Sequence, residues 1–263
     1  MKASLFAALL AASLIAALFG QGGGVLYTPI QLAAGTSFHQ AAATSLFLVM
    51  ITSLSSTLVF RQAHEINWKM ALGLEAPTVI GSLSGGIVSH WVSEQALLLT
   101  LAGLLALGAV FLIRPPKHRP RPRSGKSARI WQFDWKGEGF EIDLALMLPT
   151  MFTVGLLTSM VGIGGGILKV PVMVLLFRFP VHVAVGSSAF MVGLTAAAGL
   201  LGHATVGDWD WRTSLLLALP VLVGGQIGSR LSVRLGSGRL VHLFGMFVLA
   251  VAIYTASQAF SAA

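Results

Sequence analysis

Two glycine-rich blocks carry the strongest chemical signal in this sequence. Gly20-Gln-Gly-Gly-Gly-Val-Leu-Tyr-Thr-Pro29 matches Gly162-Ile-Gly-Gly-Gly-Ile-Leu-Lys-Val-Pro171 at an offset of 142 residues. Three consecutive glycines disfavour a helix interior, because glycine loses the most backbone freedom when fixed there. Each block follows an apolar run and precedes a short apolar segment with a proline. The pattern predicts a span, a break and a half-helix. The first amides of each half-helix, near Gly24–Leu26 and Gly166–Leu168, lack intrahelical acceptors and, with the helix dipole, favour an anion. Broken backbone survives in lipid only where protein or a water-filled cavity satisfies it, so the two breaks are expected to meet at a central site. The plainer alternative is that the glycines only let helices pack closely. The breaks nominate Gly22, Gly23, Gly24, Gly164, Gly165 and Gly166 as substrate-binding residues.

Other polar residues in apolar surroundings extend the set. Lys169 stands where the first block has Tyr27. Its ammonium can serve an anion, or pair with lipid or an acid. Thr44 with Ser45, and Ser187 with Ser188, fall at matched places in the next helices. Such hydroxyls line a polar path or bond their own helix carbonyls. Glu75 lies inside the apolar run Met70–Ile80, and its counterpart is Ala218. An ionisable residue within a span is a functional hypothesis, here a proton-coupling group or one that snorkels to the interface. His39 and His182 are also matched. Proton coupling is one reading of them and helix capping near an interface the plainer one. Two histidines without carboxylates make a poor metal site, so no metal or other cofactor is expected.

The elements that must hold these residues are membrane spans. Of 263 residues, 55% are hydrophobic and 10% charged, with mean hydropathy +0.83; soluble domains are about 25% charged. The absence of cysteine removes disulfides, thiolate metal sites and cysteine nucleophiles. Segments near 3–19, 40–60, 69–89, 95–113, 143–161, 181–204, 212–229 and 240–260 are long enough to span. Two pieces near 25–35 and 167–178 are too short to cross alone. All six tryptophans fall near segment ends, as an interfacial belt requires. The expectation is an all-α polytopic membrane protein of about eight spans and two half-helices. Residues 1–19 resemble a signal peptide, but an apolar lead-in also precedes the second block, so they are read as a retained helix.

Net charge is +8, which in a soluble chain would suggest nucleic acid. Here eleven of the 26 charged residues fall in Arg114–Glu141, eight of them basic. That stretch divides the chain into repeats 1–113 and 142–263, joined by a linker, 114–141, placed in the cytoplasm because positive loops stay inside. The plain reading is a solvated loop that sets orientation, contact with anionic lipid is the alternative, and no nucleic acid is expected. Gly125-Lys126-Ser127 is no phosphate loop, because Pro120 stands where a glycine is required. After one inserted residue the repeat offset becomes 143 and holds for His39/His182, Trp68/Trp211, Pro77/Pro220, Gly81/Gly224 and Gly85/Gly228. Basic residues mark opposite loops in the two halves (61–69 in the first, 230–239 in the second). This favours inverted repeats with an external C-terminus.

The doubled Gly-x-Gly-Gly-Gly-x-Leu-x-x-Pro, followed by Ala-x-x-Thr/Ser-Ser, resembles the sulfite exporter TauE/SafE family across nearly the whole chain outside the linker. The resemblance implies a multi-pass permease of the cell inner membrane that moves sulfite, sulfoacetate or related sulfur-containing anions. It carries Gly20, Gly22, Gly23, Gly24, Pro29, Thr44 and Ser45, with Gly162, Gly164, Gly165, Gly166, Pro171, Ser187 and Ser188, onto this chain. The Tyr27/Lys169 difference makes the half-sites chemically unequal. The resulting reading is a secondary transporter of a small anion, acting alone or as a homo-oligomer. An anion channel would share the site. An intramembrane hydrolase needs Ser84 to meet His64, His90 or His203, without a true nucleophile elbow.

Overall fold

Runs of Leu, Ala, Val and Ile without charge leave the backbone no hydrogen-bond partner but itself, which in lipid means helix. The computed structural model describes residues 3–18, 24–114, 130–135, 138–207, 209–234 and 238–261. Ten α-helices and one hairpin form among them: α1 Ala3–Leu18, α2 Gly24–Ala33, α3 Phe38–Gln62, α4 Trp68–Val88, α5 Glu94–Ile113, β1 Ile130–Trp135, β2 Glu138–Asp143, α6 Leu144–Met160, α7 Gly166–Leu175, α8 Val181–Thr205, α9 Trp211–Arg234 and α10 Gly238–Ser261. The chain is an all-α polytopic membrane protein. The helices α3, α4, α5, α8 and α9 are long and apolar enough to cross a bilayer. By contrast α2 and α7 have 10 residues each, about 15 Å of helix and half a hydrocarbon core.

Caps set several helix starts. Asn67 accepts the amide of Met70, Ser93 that of Ala96 and Asp143 that of Ala145. Before α9, Asp210 accepts the amide of Arg212 and the Thr213 hydroxyl. The Thr213 bond holds the Asp210 carboxyl below its ordinary range.

Corresponding helices make corresponding contacts. In the interior α3 crosses α8, and at the periphery α5 lies along α10. The helix α4 packs on α6 and α8, and its repeat counterpart α9 packs on α1 and α3. Matched glycines build these pairs. A Cβ on Gly85 would collide with the backbone of Leu156 in α6, and one on Gly228 with the carbonyl of Leu14 in α1. Gly81 and Gly224 press likewise on the carbonyls of Phe152 and Leu10. Large apolar side chains point outward instead, among them Ile80, Leu201, Leu219 and Ile253, each more than 60% exposed, as lipid-facing positions do.

The polar linker expected over 114–141 is not uniform. Residues 115–129 and 136–137 lie outside the described ones. Residues 130–135 and 138–143 pair as an antiparallel hairpin, with Ile130 opposite Asp143 and Trp135 opposite Glu138. Trp131, Phe133 and Trp135 alternate along one strand, and Phe140 and Ile142 along the other. This period of two drives strand formation, and the local net charge concealed it. Phe140 and Ile142 are buried with Met70, Ala71, Leu74, Met147, Met151, Met173, Phe179 and Met191. Trp131 lies over Gly73.

Candidate functional site

The second glycine block is a true interruption. The helix α6 ends at Met160, and Gly162, Gly164 and Gly165 take φ of +78°, +73° and +89° before α7 begins. Side chains are strained in that left-handed region. The turn closes through the amides of Gly162 and Ile163 on the carbonyls of Ser159 and Thr158. Among the described residues no acceptor meets the amides of Gly164, Gly165, Gly166 and Ile167. The Thr28 hydroxyl of α2 reaches the carbonyls of Val161 and Gly162 at 3.2 and 3.4 Å, so the first half supplies part of the second half's missing bonding. Gly24, the first residue of α2, lies against the Ile163 carbonyl. The start of one half-helix therefore adjoins the break before the other. Gly20, Gly22 and Gly23 lie outside the described residues.

Lys169 sits one turn into α7 and is fully buried. Its side chain runs back toward the break, as helical side chains tend to. A Cβ at Gly165 would stand 3.2 Å from Lys169 Cε and from Thr158 Oγ1. The ammonium donates to Glu75 Oε2 at 2.8 Å and to Thr195 Oγ1. The Thr195 hydroxyl donates in turn to the other Glu75 oxygen. Three helices, α4, α7 and α8, thus close a ring of three side chains. Of the two readings of Glu75, snorkelling fails: the carboxylate is 2% exposed. Of those for Lys169, its partner in this structure is an acid.

The first half holds the neutral version of the same arrangement. Tyr27 is fully buried, and its hydroxyl lies 2.8 Å from Thr52 Oγ1. Thr52 and Thr195 keep the offset of 143 that relates His39 to His182. Where Glu75 would recur stands Ala218. Two sequence asymmetries that looked separate, Tyr27/Lys169 and Glu75/Ala218, are one substitution of a neutral contact by an ion pair. The 143 spacing of Thr52 and Thr195 was the legible signal for both threonines.

The matched hydroxyls do not share a role. Ser45 accepts from the Gln31 amide at 2.8 Å. Ser187 accepts the backbone amide of Asn67 at 3.0 Å, and Ser188 donates to the Val185 carbonyl of its own helix. Thr44 is buried on α3. A polar stripe that the sequence reading passed over lies further along α3. Ser53, Ser55 and Ser56 are buried with hydroxyls that lack a partner among the described residues, as does Ser159 of α6. His39 is half-buried at the start of α3, beside Phe38 and 5.8 Å from the His90 ring. The side chain of His182 lies outside those described. The Ser84 hydroxyl donates to the Ile80 carbonyl of its own helix, and His203 is engaged with the Ser159 carbonyl.

An interrupted half-helix, in a bundle whose matched helices make matching contacts, agrees with the resemblance drawn from the glycine motifs, and a direct comparison decides the matter. Residues 5–255 match the family described as Sulfite exporter TauE/SafE. The chain belongs to the TauE/SafE family. It is a multi-pass membrane protein of a transporter family. It is similar to the "Probable membrane transporter protein YunE" of Bacillus subtilis, 28% identical over 253 residues that cover 92% of each chain. A "Probable membrane transporter protein" of Xylella fastidiosa is 27% identical over 244 residues, 90% of this chain and 88% of its own. "Probable membrane transporter protein YfcA" of Escherichia coli is 25% identical over 231 residues, 88% and 80% of the two. No solved structure matches the chain.

Proposed function

We propose that this TauE/SafE protein is a secondary transporter, not an enzyme, that moves small sulfur-containing anions such as sulfite or organosulfonates across the cell inner membrane. Residues 1–113 and 142–263 are its inverted repeats, and the basic segment 114–141 faces the cytoplasm. The observation that carries the reading is local. At one interrupted helix, four successive amides without acceptors among the described residues and a buried ammonium one turn away converge from Gly164 to Lys169. Sulfur oxyanions present several acceptor oxygens to such donors, and the helix dipole adds a favourable field. The relatives' names support transport as such, and the family description supports the sulfur anion. The chain carries no nucleotide-binding motif that would supply ATP energy, so the driving force is a gradient or the substrate's own.

The test is flux of sulfite, thiosulfate and sulfoacetate into proteoliposomes. Wild type is expected to give saturable flux. Gly165→Leu places a side chain on left-handed backbone beside Lys169, and flux should fall at least about tenfold. Gly103→Ala, at an exposed glycine with open space around it, serves as the control. Undiminished flux in Gly165→Leu would remove the break from the mechanism, and unitary currents would replace the carrier by a channel.

A further inference from the structure

We propose that Glu75 is an internal stand-in for the transported anion, and that its protonation couples the anion's movement to protons; this rests on the anion-transport reading above. The ammonium of Lys169 is buried and its counter-charge is supplied from another helix, by Glu75 at 2.8 Å. A buried charge stripped of its partner is strongly disfavoured. An anion that takes Glu75's place on Lys169 therefore leaves the carboxylate as a second, unbalanced negative charge. One proton resolves this. Before binding, the site holds an ammonium and a carboxylate; after it, an ammonium, a neutral carboxylic acid and the anion. With one proton the site stays neutral for a monovalent anion, and for a divalent one it carries a single residual negative charge, which faces the amides of the adjoining break.

Three further observations fit this role. Thr195 bridges both partners, and its hydroxyl can turn to accept from a protonated Glu75, so it is a positioning residue for the exchange. Ala71, Met173 and Met191 lie one helical turn from Glu75, Lys169 and Thr195, and all three belong to the apolar cluster closed by Phe140 and Ile142. Toward the break, by contrast, the ring adjoins Thr158, Gly165 and the hydroxyl of Ser82, which donates to the Thr195 carbonyl. The polar approach is on one side and an apolar seal rich in pliable methionine on the other.

Among the described residues no other ionisable side chain is placed to compete for the proton. The helices that surround the ring, α4, α6, α7 and α8, carry only Lys69 at the exposed start of α4 and His182 and His203 toward the two ends of α8. His203 is bonded to the Ser159 carbonyl. The helix α5, which touches α7, carries Glu94 in its exposed first turn. On the hairpin, Glu141 accepts from Gln132 and Asp143 caps α6. Glu75 is the one buried carboxylate among the described residues.

The experiment measures binding and flux of sulfite, thiosulfate and sulfoacetate against pH, in wild type and Glu75→Gln. Thiosulfate and sulfoacetate keep their charge across the neutral range. Sulfite titrates there itself, but identically for both proteins, so the difference between their slopes is diagnostic. In wild type the Kd is expected to rise about tenfold per pH unit more steeply than in Glu75→Gln, the signature of one linked proton. An inward proton gradient should accelerate wild-type uptake only. If Glu75→Gln fails to fold, infrared difference spectra of the wild type on adding the anion supply the test. A protonated-carboxyl band should appear and shift in Glu75→Asp. Equal pH slopes, or an anion-bound spectrum without that band, would overturn the proton role while leaving anion transport intact. If wild type moves none of the three anions, the transport reading itself fails.

Discussion

At the scale of single residues, the decisive feature is the ion pair of Glu75 and Lys169, tied by Thr195. In the sequence, Glu75 reads as a coupling or snorkelling group and Lys169 as a partner for an anion, lipid or an acid, with nothing to join the two. Joined, they satisfy each other, and every polar atom of the ring faces a counterpart. A buried pair need not stabilise the fold relative to apolar packing, but half of one is expensive. Lys169→Ala is therefore expected to destabilise the protein by about 3–5 kcal/mol, because it strands the carboxylate. The double variant Lys169→Met with Glu75→Gln, which strands no charge, should recover most of that loss. Thermal unfolding of the purified protein in detergent checks both. A double variant less stable than Lys169→Ala would mean that the ring is not a self-contained unit.

At the scale of elements, glycine does two different jobs. In the break, positive φ at Gly162, Gly164 and Gly165 makes the turn between α6 and α7. In α4 and α9, helical glycines let one backbone rest on another, with Gly81 and Gly85 against α6 and Gly224 and Gly228 against α1. Lipid offers helices no hydrophobic incentive to associate, so this close approach supplies the van der Waals contact that holds them. Gly85→Leu and Gly228→Leu should each destabilise by about 1–3 kcal/mol or more, since rigid backbone must move aside. Gly103→Ala should be neutral or stabilising by up to about 1 kcal/mol, the intrinsic helix preference of alanine. Unfolding midpoints of the three variants test the contrast. A Gly103 effect as large as the others would show that the contacts are not what matters. The hairpin belongs to this scale too, since it replaces a featureless linker with an apolar cap on the ends of α4, α7 and α8.

At the scale of the molecule, the halves interlock rather than sit side by side. The helix α4 spends its main contacts on α6 and α8, and α9 spends its own on α1 and α3. Ser13 of α1 reaches the Val221 carbonyl of α9, and Ser82 of α4 reaches the Thr195 carbonyl of α8. The ion pair itself crosses from one half to the other. Each half alone would leave such faces uncovered. Expressed separately, residues 1–120 and 121–263 are expected to be degraded in the membrane, whereas co-expression should give a complex that co-purifies. Stable accumulation of either half alone would contradict the interlocked architecture.

Much of this was legible in the residues. Apolar run lengths set eight helices of near-spanning length and two short ones to within a few residues at most ends. The exception is α9, which continues to Arg234 because serine and arginine at its end do not stop a helix whose backbone bonds are already forming. The second glycine triplet announced the interruption between α6 and α7, because positive φ is a backbone demand that any side-chain environment must respect, and the fixed offset pointed to helices that make matching contacts. What only the tertiary structure decided is which distant groups meet. Ninety-four residues separate Glu75 from Lys169, and neither run contains a hint of the other. The hairpin stayed hidden for a related reason: its alternating aromatic residues lie among charges, and burial against Met70 and Leu74 is what makes that alternation matter. Local sequence governs where the backbone can be helical, whereas compensation of buried charge is a property of packing.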